Sequence, residues 1–204
     1  MVAATRDEVT LAFETPAQWR AWLAEHHVQA ASVLLCIPKR SGAALTYSNA
    51  LDAALAWGWI DSQKRALDAS AWLQRFGKRT PKSPWSKINR ARAEGLIAAG
   101  KMENPGQAEV DRARADGRWD RAYDGARAST VPEDLAAALA KSRKARAFFE
   151  ALDGANRYAI LYRVQTAKKP ETRAARIAKL VAMCAAGETI HPPKKPRRLA
   201  RHQR

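Results

Sequence analysis

The sequence has 204 residues, 47 % of them hydrophobic, and a formal net charge of +16 at pH 7. This length and apolar content exclude a mostly disordered chain, and no run approaches the roughly 18 apolar residues that a membrane-spanning helix needs. The charge indicates polyanionic partners, and acidic residues stand where a secretory signal would have its apolar run, so we expect a cytoplasmic protein.

The first 80 residues predict two helices and a small antiparallel sheet. Thr15 and Gln18 have the spacing of a capping box, with Pro16 at the first helical position. Gly58 is a typical stop after a helical pattern that Thr46 begins. The expected helices are 15–27 and 46–58, and the expected strands are 33–37, 59–67 and 71–76, with a turn at 68–70.

From Ser83 onward the pattern is helical almost throughout. Ser83 is a candidate N-cap, because Pro84 would then take the first helical position. Breaks at Gly, Asn-Pro, Val-Pro and Lys-Pro separate helices near 84–99, 105–116, 132–152, 154–167 and 170–186. The sequence therefore predicts an α+β, mostly helical protein with a small antiparallel sheet in its N-terminal part and a helical C-terminal part. The expected divisions are 1–128, 129–191 and a disordered basic tail at 192–204.

Motifs for cofactors and metals are missing from the chain. Neither usual nucleotide-binding loop occurs, and no H-E-x-x-H or paired C-x-x-C spacing is present. We therefore expect no cofactor and no metal. Asp52 and Asp61 are the carboxyl groups nearest the tryptophan-rich centre, but nothing in the sequence fixes the distance between them, which acid–base work by two such groups requires. Enzymatic activity is thus the less favoured interpretation.

A basic, tryptophan-rich segment at 57–89 is the strongest functional signal. Alternation along a strand places Asp61 and Arg65 on one face, where they can bracket a polar ligand. A helix start at Ser83 and Pro84 would leave backbone N–H groups at a positive helix end, which suits a phosphate or another oxyanion. The alternative is that the tryptophans form the core and the cations are only solvated. The candidate ligand-binding residues are Trp59, Asp61, Arg65, Arg75, Lys82, Ser83, Trp85, Ser86, Lys87 and Asn89.

The segments GWID, SPWSKIN and AKKPETR carry a family resemblance. Together with three further segments, they resemble the bacterial YdeI/OmpD-associated, or bacteriocin-protection, family from about residue 8 to residue 192. The resemblance implies stress or antimicrobial-peptide resistance and association with an outer-membrane porin, and it assigns no catalytic residues. It marks eight motif positions without roles, namely Gly58, Trp59, Asp61, Lys82, Ser83, Trp85, Ser86 and Asn89. The run at 76–79 departs from the F-T-P-R that the family leads us to expect.

Three functional hypotheses follow. The first is a non-enzymatic resistance protein that binds an anionic small molecule or an acidic protein partner at the 57–89 surface. The second is a nucleic-acid-binding protein that does not discriminate between sequences. Its phosphate contacts would be Lys78, Arg79, Arg173, Arg176, Lys179, Lys194, Lys195, Arg197 and Arg198. The third is an enzyme with Asp61 as the acid or base.

Overall fold

The computed structural model describes residues 8–192. The chain divides into two compact units, Met1–Ala122 and Tyr123–Arg204. The sequence places this boundary at 128, and the proposed tail at 192–204 lies almost wholly outside the described residues. No described helix has the length and apolar character needed to cross a lipid bilayer.

The N-terminal unit contains four strands and four helices within the described residues. These are β1 (Thr10–Leu11), α1 (Pro16–His26), β2 (Ser32–Pro38), α2 (Tyr47–Ala56), β3 (Trp59–Ala66), β4 (Ala71–Lys78), α3 (Lys87–Ala98) and α4 (Asn104–Ala115). The C-terminal unit is helical, with α5 (Glu133–Ala140), α6 (Arg143–Ala151), α7 (Gly154–Gln165) and α8 (Pro170–Ala186). The predicted α+β, mostly helical class is confirmed.

The sheet has the order β1-β2-β4-β3. β2 and β3 pair antiparallel with β4, as predicted, whereas β1 runs parallel to β2. The sheet is therefore mixed rather than purely antiparallel. A strand of two residues carries too little alternation to be recognised in the sequence.

Local signals at helix ends account for most of the predicted boundaries. Thr15 and Thr46 both form complete capping boxes, and Gly58 has a positive φ of 74° after α2. The predicted helix at 132–152 is two helices, since Ser142 caps α6 by accepting a hydrogen bond from the backbone N–H of Ala145.

The predicted helix start at Ser83 and Pro84 is wrong. α3 begins at Lys87, and its N-cap is Ser86, whose hydroxyl oxygen accepts from the backbone N–H of Asn89 at 3.1 Å. The Ser83 hydroxyl instead accepts from the backbone N–H of Thr80 at 2.9 Å. Both serines have the spacing of a cap, and only the later one begins the helix.

Large aromatic side chains fill the core of the N-terminal unit. Trp19, Trp59, Phe76 and Trp85 are buried in one cluster that α1 and α2 cover. The Trp19 indole N–H donates to the Ala50 carbonyl at 3.1 Å, which ties α1 to α2. The C-terminal unit has its own core, formed by side chains such as Leu135, Phe149, Ile160, Leu180 and Cys184.

Candidate functional site

A cavity of about 290 Å³ lies in the N-terminal unit, where the ends of several elements meet. The end of α1, the turn between α2 and β3, the end of β4 and the first turns of α4 all contribute to its wall. The lining residues are His27, Val28, Trp57, Gly58, Trp59, Lys78, Arg79, Pro105 and Glu109. The cavity therefore collects aromatic, cationic and acidic side chains that are far apart in sequence.

Two glycines bring α4 against the end of α2. A Cβ atom on Gly106 would lie 2.2 Å from the Ala56 carbonyl oxygen, and one on Gly58 would lie 2.9 Å from the Pro105 carbonyl oxygen. Gly58 also needs its positive φ to turn the chain from α2 into β3. This close approach places Glu109 of α4 on the same cavity as the α2–β3 turn.

Among the cavity-lining side chains, Trp57, Trp59 and Glu109 each have a polar atom that is buried without a hydrogen-bond partner among the described residues. These atoms are the indole nitrogens of Trp57 and Trp59 and the Oε2 atom of Glu109. The other carboxylate oxygen of Glu109 accepts from Arg112 at 2.6 Å. Buried polar groups are nearly always hydrogen-bonded, so these atoms are unsatisfied groups within the side chains that form this wall. The indole nitrogens of Trp72 and Trp85, which lie outside the cavity, are unsatisfied in the same way.

Two cations line the same cavity. The guanidinium of Arg79 is stacked on the Trp85 ring, 3.5 Å from its centroid, and Arg79 Nη1 donates to the Pro84 carbonyl at 3.3 Å. Arg79 is only 5 % exposed, so its charge acts in a poorly solvated environment. Lys78 is exposed, and its ammonium group donates to the Val28 carbonyl. These two charges favour an anionic group over a cationic one.

His27 forms a further part of the wall. Its ring lies 4.7 Å from the Trp57 ring, centroid to centroid, and its Nδ1 atom is 3.0 Å from the Leu23 carbonyl oxygen. No cluster of three or more metal-ligating side chains occurs in the described part of the chain. The indole, imidazole, guanidinium, ammonium and carboxylate groups of the lining are suited to hydrogen bonding and charge recognition.

The structure separates two residues that the sequence places on one face. In the β3–β4 ladder Asp61 pairs with Phe76 and Lys64 with Gln74, so β3 has an extra residue between them. Such a bulge reverses the alternation of side chains, and Arg65 then falls opposite Leu73 on the other face. The prediction that Asp61 and Arg65 point the same way is therefore wrong.

A buried glutamine secures this bulge. The Gln74 side chain is 3 % exposed, and its amide nitrogen donates to the carbonyls of Ser62 and Gln63 at 3.4 and 3.3 Å.

Asp61 accepts a hydrogen bond from the Tyr47 hydroxyl at 2.7 Å. Neither Asp61 nor Arg65 lines the cavity.

Arg75 also lies apart from the cavity. Its side chain forms an ion pair with Glu8, and its Nη2 atom donates to the Ser32 hydroxyl at 2.9 Å. This network joins β4, β2 and the residues before β1.

The predicted loop residues anchor the chain between β4 and α3. Trp85 and Ser86 are buried, and the Trp85 ring meets the Trp119 ring edge-on at 4.9 Å. Arg118, which the sequence analysis did not single out, is 6 % exposed and donates to the Ser83 carbonyl at 2.9 Å. The backbone carbonyls of Ser83 and Pro84 thus accept hydrogen bonds from the buried side chains of Arg118 and Arg79. The remaining predicted loop positions are partly or fully exposed, namely Lys82, Ser83, Lys87 and Asn89.

The basic stripe predicted on α8 is largely engaged within the C-terminal unit. Arg173 donates two hydrogen bonds to the Asp134 carboxylate, at 2.6 and 2.9 Å, and Arg176 donates to the Arg163 carbonyl at 2.7 Å. Lys179 is exposed. The other proposed phosphate contacts, Lys194, Lys195, Arg197 and Arg198, lie outside the described residues.

The cavity is lined by four of the residues singled out in the sequence, namely Gly58, Trp59, Lys78 and Arg79. His27, Trp57 and Glu109 were not predicted as site residues. Trp57 is the first residue of the tryptophan-rich segment, so the sequence did indicate the region in which it lies. Nothing local in the sequence marks Glu109, because only the α2–α4 packing brings it to the cavity.

Two family models match the chain. Residues 128–187 match the family described as "Bacteriocin-protection, YdeI or OmpD-Associated", which confirms the resemblance over that range. Residues 11–109 match a different model, "Domain of unknown function (DUF8412)", and this range contains the whole candidate cavity and the GWID and SPWSKIN motifs. No curated protein and no solved structure matches the chain.

Proposed function

From the match of residues 128–187 to the bacteriocin-protection family, we propose that the chain contributes to bacteriocin or stress resistance by binding a small anionic ligand without transforming it. The binding site is the cavity between the α2–β3 turn and α4. The observation that carries this proposal is that one cavity brings the cations Lys78 and Arg79 together with three side chains that have an unpaired buried polar atom, namely Trp57, Trp59 and Glu109.

The donors determine the polarity of the ligand. Two indole N–H groups need acceptor atoms, and the nearby charges of Lys78 and Arg79 make an ionised carboxylate or phosphate the favoured acceptor. The Glu109 carboxylate is already paired with Arg112 through one oxygen, so it offsets this positive field only in part. Its vacant oxygen favours a ligand that also carries a hydrogen-bond donor.

The size of the cavity limits the ligand. A volume of about 290 Å³ has room for a molecule the size of an amino acid or a short-chain hydroxy acid. Water alone would fill the same space, at a share of about 30 Å³ for each molecule. The experiment must therefore distinguish a ligand site from a hydrated pocket.

Calorimetric titration of the full chain provides the test. The probes are acetate, inorganic phosphate and glycine, with acetamide as a neutral comparison. We expect at least one anion to bind and acetamide not to bind. Replacing Trp59 by phenylalanine removes the N–H group and keeps most of the apolar volume, so affinity should fall roughly 10- to 100-fold, as for a lost hydrogen bond to a charged group.

Trp72→Phe is the matched control. The Trp72 indole N–H is also buried without a partner, but Trp72 does not line the cavity, so this variant should bind like the wild type. Survival of cells exposed to a bacteriocin should fall with Trp59→Phe and not with Trp72→Phe. Absence of anion binding up to about 10 mM, a very weak affinity on any scale, would reduce the cavity to a hydrated pocket.

The nucleic-acid hypothesis has less support from the described residues. Arg79 is buried against Trp85, and Arg173 is bound to a carboxylate, so two of its proposed contacts are committed elsewhere. Asp61 as an acid or base likewise has less support, because Asp61 does not line the cavity and its carboxylate accepts from the Tyr47 hydroxyl at 2.7 Å. We propose a cytoplasmic location on the composition alone.

A further inference from the structure

A groove of about 880 Å³ runs over the surface of the C-terminal unit, between the end of α7 and the length of α8. Its floor is largely apolar, and it is open to solvent. Its lining includes the cationic side chains of Arg163 and Lys179 and the apolar side chains of Ala182, Met183, Ala186 and Ile190.

One stripe of α8 lies along this groove. Lys179, Ala182, Met183 and Ala186 follow the i, i+3, i+4, i+7 spacing of a single helix face. The buried face of α8 is formed by Ile177, Leu180 and Cys184, and it is distinct from this stripe. Leu180 lies at the border between the two faces, because it also lines the groove. α8 therefore presents a second face, on which Ala182 and Ala186 are exposed.

The shape of the stripe suits another helix. Ala182 and Ala186 are one turn apart and exposed, so a second helix can approach α8 at the roughly 8–10 Å spacing of packed helices. Met183 lies between them and is half-buried, and methionine adapts to varied partners because its side chain is unbranched. In helix-in-groove recognition the bound helix supplies apolar anchors at this same spacing, and the groove supplies the apolar floor.

The rim of the groove is positive. Arg163 and Lys179 are exposed at its edge, and Arg176 adds a third cation that the Arg163 carbonyl holds in place at 2.7 Å. Glu188 is the acidic residue of the lining. The rim therefore favours an occupant with acidic residues flanking its apolar face.

We propose that this groove binds an acidic amphipathic helix of a partner protein. Charge complementarity selects this occupant over the chain itself. A second copy brings a net charge of +16, and residues 193–204 carry six basic and no acidic side chains, so both would meet the cationic rim with like charge. This inference concerns the C-terminal unit and does not depend on the cavity of the N-terminal unit.

The test uses the full chain and labelled synthetic peptides of about 18 residues, a helix about as long as the 17-residue α8. One peptide has leucines at helical spacing and glutamates elsewhere. A second has the same leucines with lysines, and a third has the glutamate composition in scrambled order. By fluorescence anisotropy, we expect the acidic amphipathic peptide to bind at least tenfold more tightly than either of the others.

Two variants locate the binding. Ala186→Glu adds bulk and negative charge to the stripe at an exposed position, so affinity for the acidic peptide should fall at least tenfold. Lys179→Glu should weaken binding severalfold. Lys141→Glu makes the same charge change at an exposed residue outside the groove and should have a much smaller effect.

Four results would overturn the proposal. The acidic peptide could bind no better than its scrambled form, or Lys141→Glu could weaken binding as much as Lys179→Glu. Decanoate could bind where the peptide does not, which would make the groove a site for anionic amphiphiles. The chain could also sediment as a dimer that Ala186→Glu dissociates, which would make a second copy the occupant.

Discussion

The guanidinium carbon of Arg79 lies 3.5 Å from the centroid of the Trp85 ring, and both side chains are buried. Trp85 in turn meets Trp119 edge-on at 4.9 Å. Arg79 comes directly after β4 and also lines the candidate cavity, so this stacked pair links the packing of the loop before α3 to the geometry of the site.

Trp85→Ala should destabilise the N-terminal unit by about 3–5 kcal/mol, as truncations of large buried aromatics do. Trp85 is 1 % exposed, and the variant also removes the ring on which Arg79 is stacked. Urea unfolding followed by circular dichroism measures the loss. Ile88→Ala, in the same segment but 57 % exposed, should change the unfolding free energy by less than about 0.5 kcal/mol.

Alanine substitutions of three glycines should change the free energy of unfolding in different directions: two should destabilise the protein and one should stabilise it. Gly106→Ala should cost about 1–3 kcal/mol, because its Cβ would lie 2.2 Å from the Ala56 carbonyl oxygen. Gly95 lies inside α3 with nothing near its Cβ position, so Gly95→Ala should stabilise the protein by about 0.5–1 kcal/mol.

Gly58→Ala should also destabilise, by about 1–2 kcal/mol, because its φ of 74° is unfavourable for alanine. Thermal melts of the three variants measure these differences. If Gly58→Ala and Gly106→Ala melted like the wild type, the close approach of α4 to the α2–β3 turn would be in error, and the cavity with it.

The Asp134–Arg173 pair should make stability depend on pH in the acidic range. Hydrogen bonds from Arg173 hold the pKa of Asp134 below its usual value. The pair therefore stabilises the fold above the unfolded pKa of about 3.9, and this contribution is lost as pH falls through the lower folded pKa. Asp134 is nearly half exposed, so we expect Asp134→Asn to cost only about 0.5–1.5 kcal/mol at pH 7.

Urea unfolding at several pH values tests this. The difference between wild type and Asp134→Asn should shrink steadily from pH 5 downward and approach zero in strong acid. The exposed Asp120 offers the control, since Asp120→Asn should show little difference at any pH. A difference for Asp134→Asn that stays constant with pH would show that the ion pair is not its source.

Local signals in the sequence predict much of this fold. The capping boxes at Thr15 and Thr46 and the glycine stop at Gly58 each depend on residues within one turn, and all three form as expected. The choice between Ser83 and Ser86 as the cap of α3 is different, because both have suitable spacing. The burial of Trp85, a tertiary effect, accompanies the later start.

The candidate site was less accessible to sequence reasoning. The bulge between Asp61 and Lys64 is defined by pairing with β4, and strict alternation along one strand cannot reveal it. Glu109 reaches the cavity only through the contact of Gly106 with the end of α2. The tryptophans and cations identified the region, whereas the partners of those side chains required the fold.

The nucleic-acid hypothesis makes a separate prediction about salt. If the basic groups at 193–204 and the stripe on α8 both contact phosphates, generic duplex DNA should bind with about 4–8 neutralised phosphates, and log K should fall with log salt at about −0.9 for each. Fluorescence anisotropy of a labelled duplex over a salt series measures that slope.

Truncation after His191 should remove several units of the slope, because Arg173 and Arg176 are bound within the C-terminal unit and leave few free cations on α8. The melting temperature should not change, since residues 192–204 have no apolar periodicity in the sequence. Lys179→Ala in the truncated chain then asks whether α8 contributes at all. If the truncated chain binds no duplex at about 50 mM salt, where phosphate contacts are strong, the folded units are not the nucleic-acid-binding part. If it keeps the full slope, cations of the folded units must bind the phosphates, and the small-ligand proposal would no longer account for the charge of the protein.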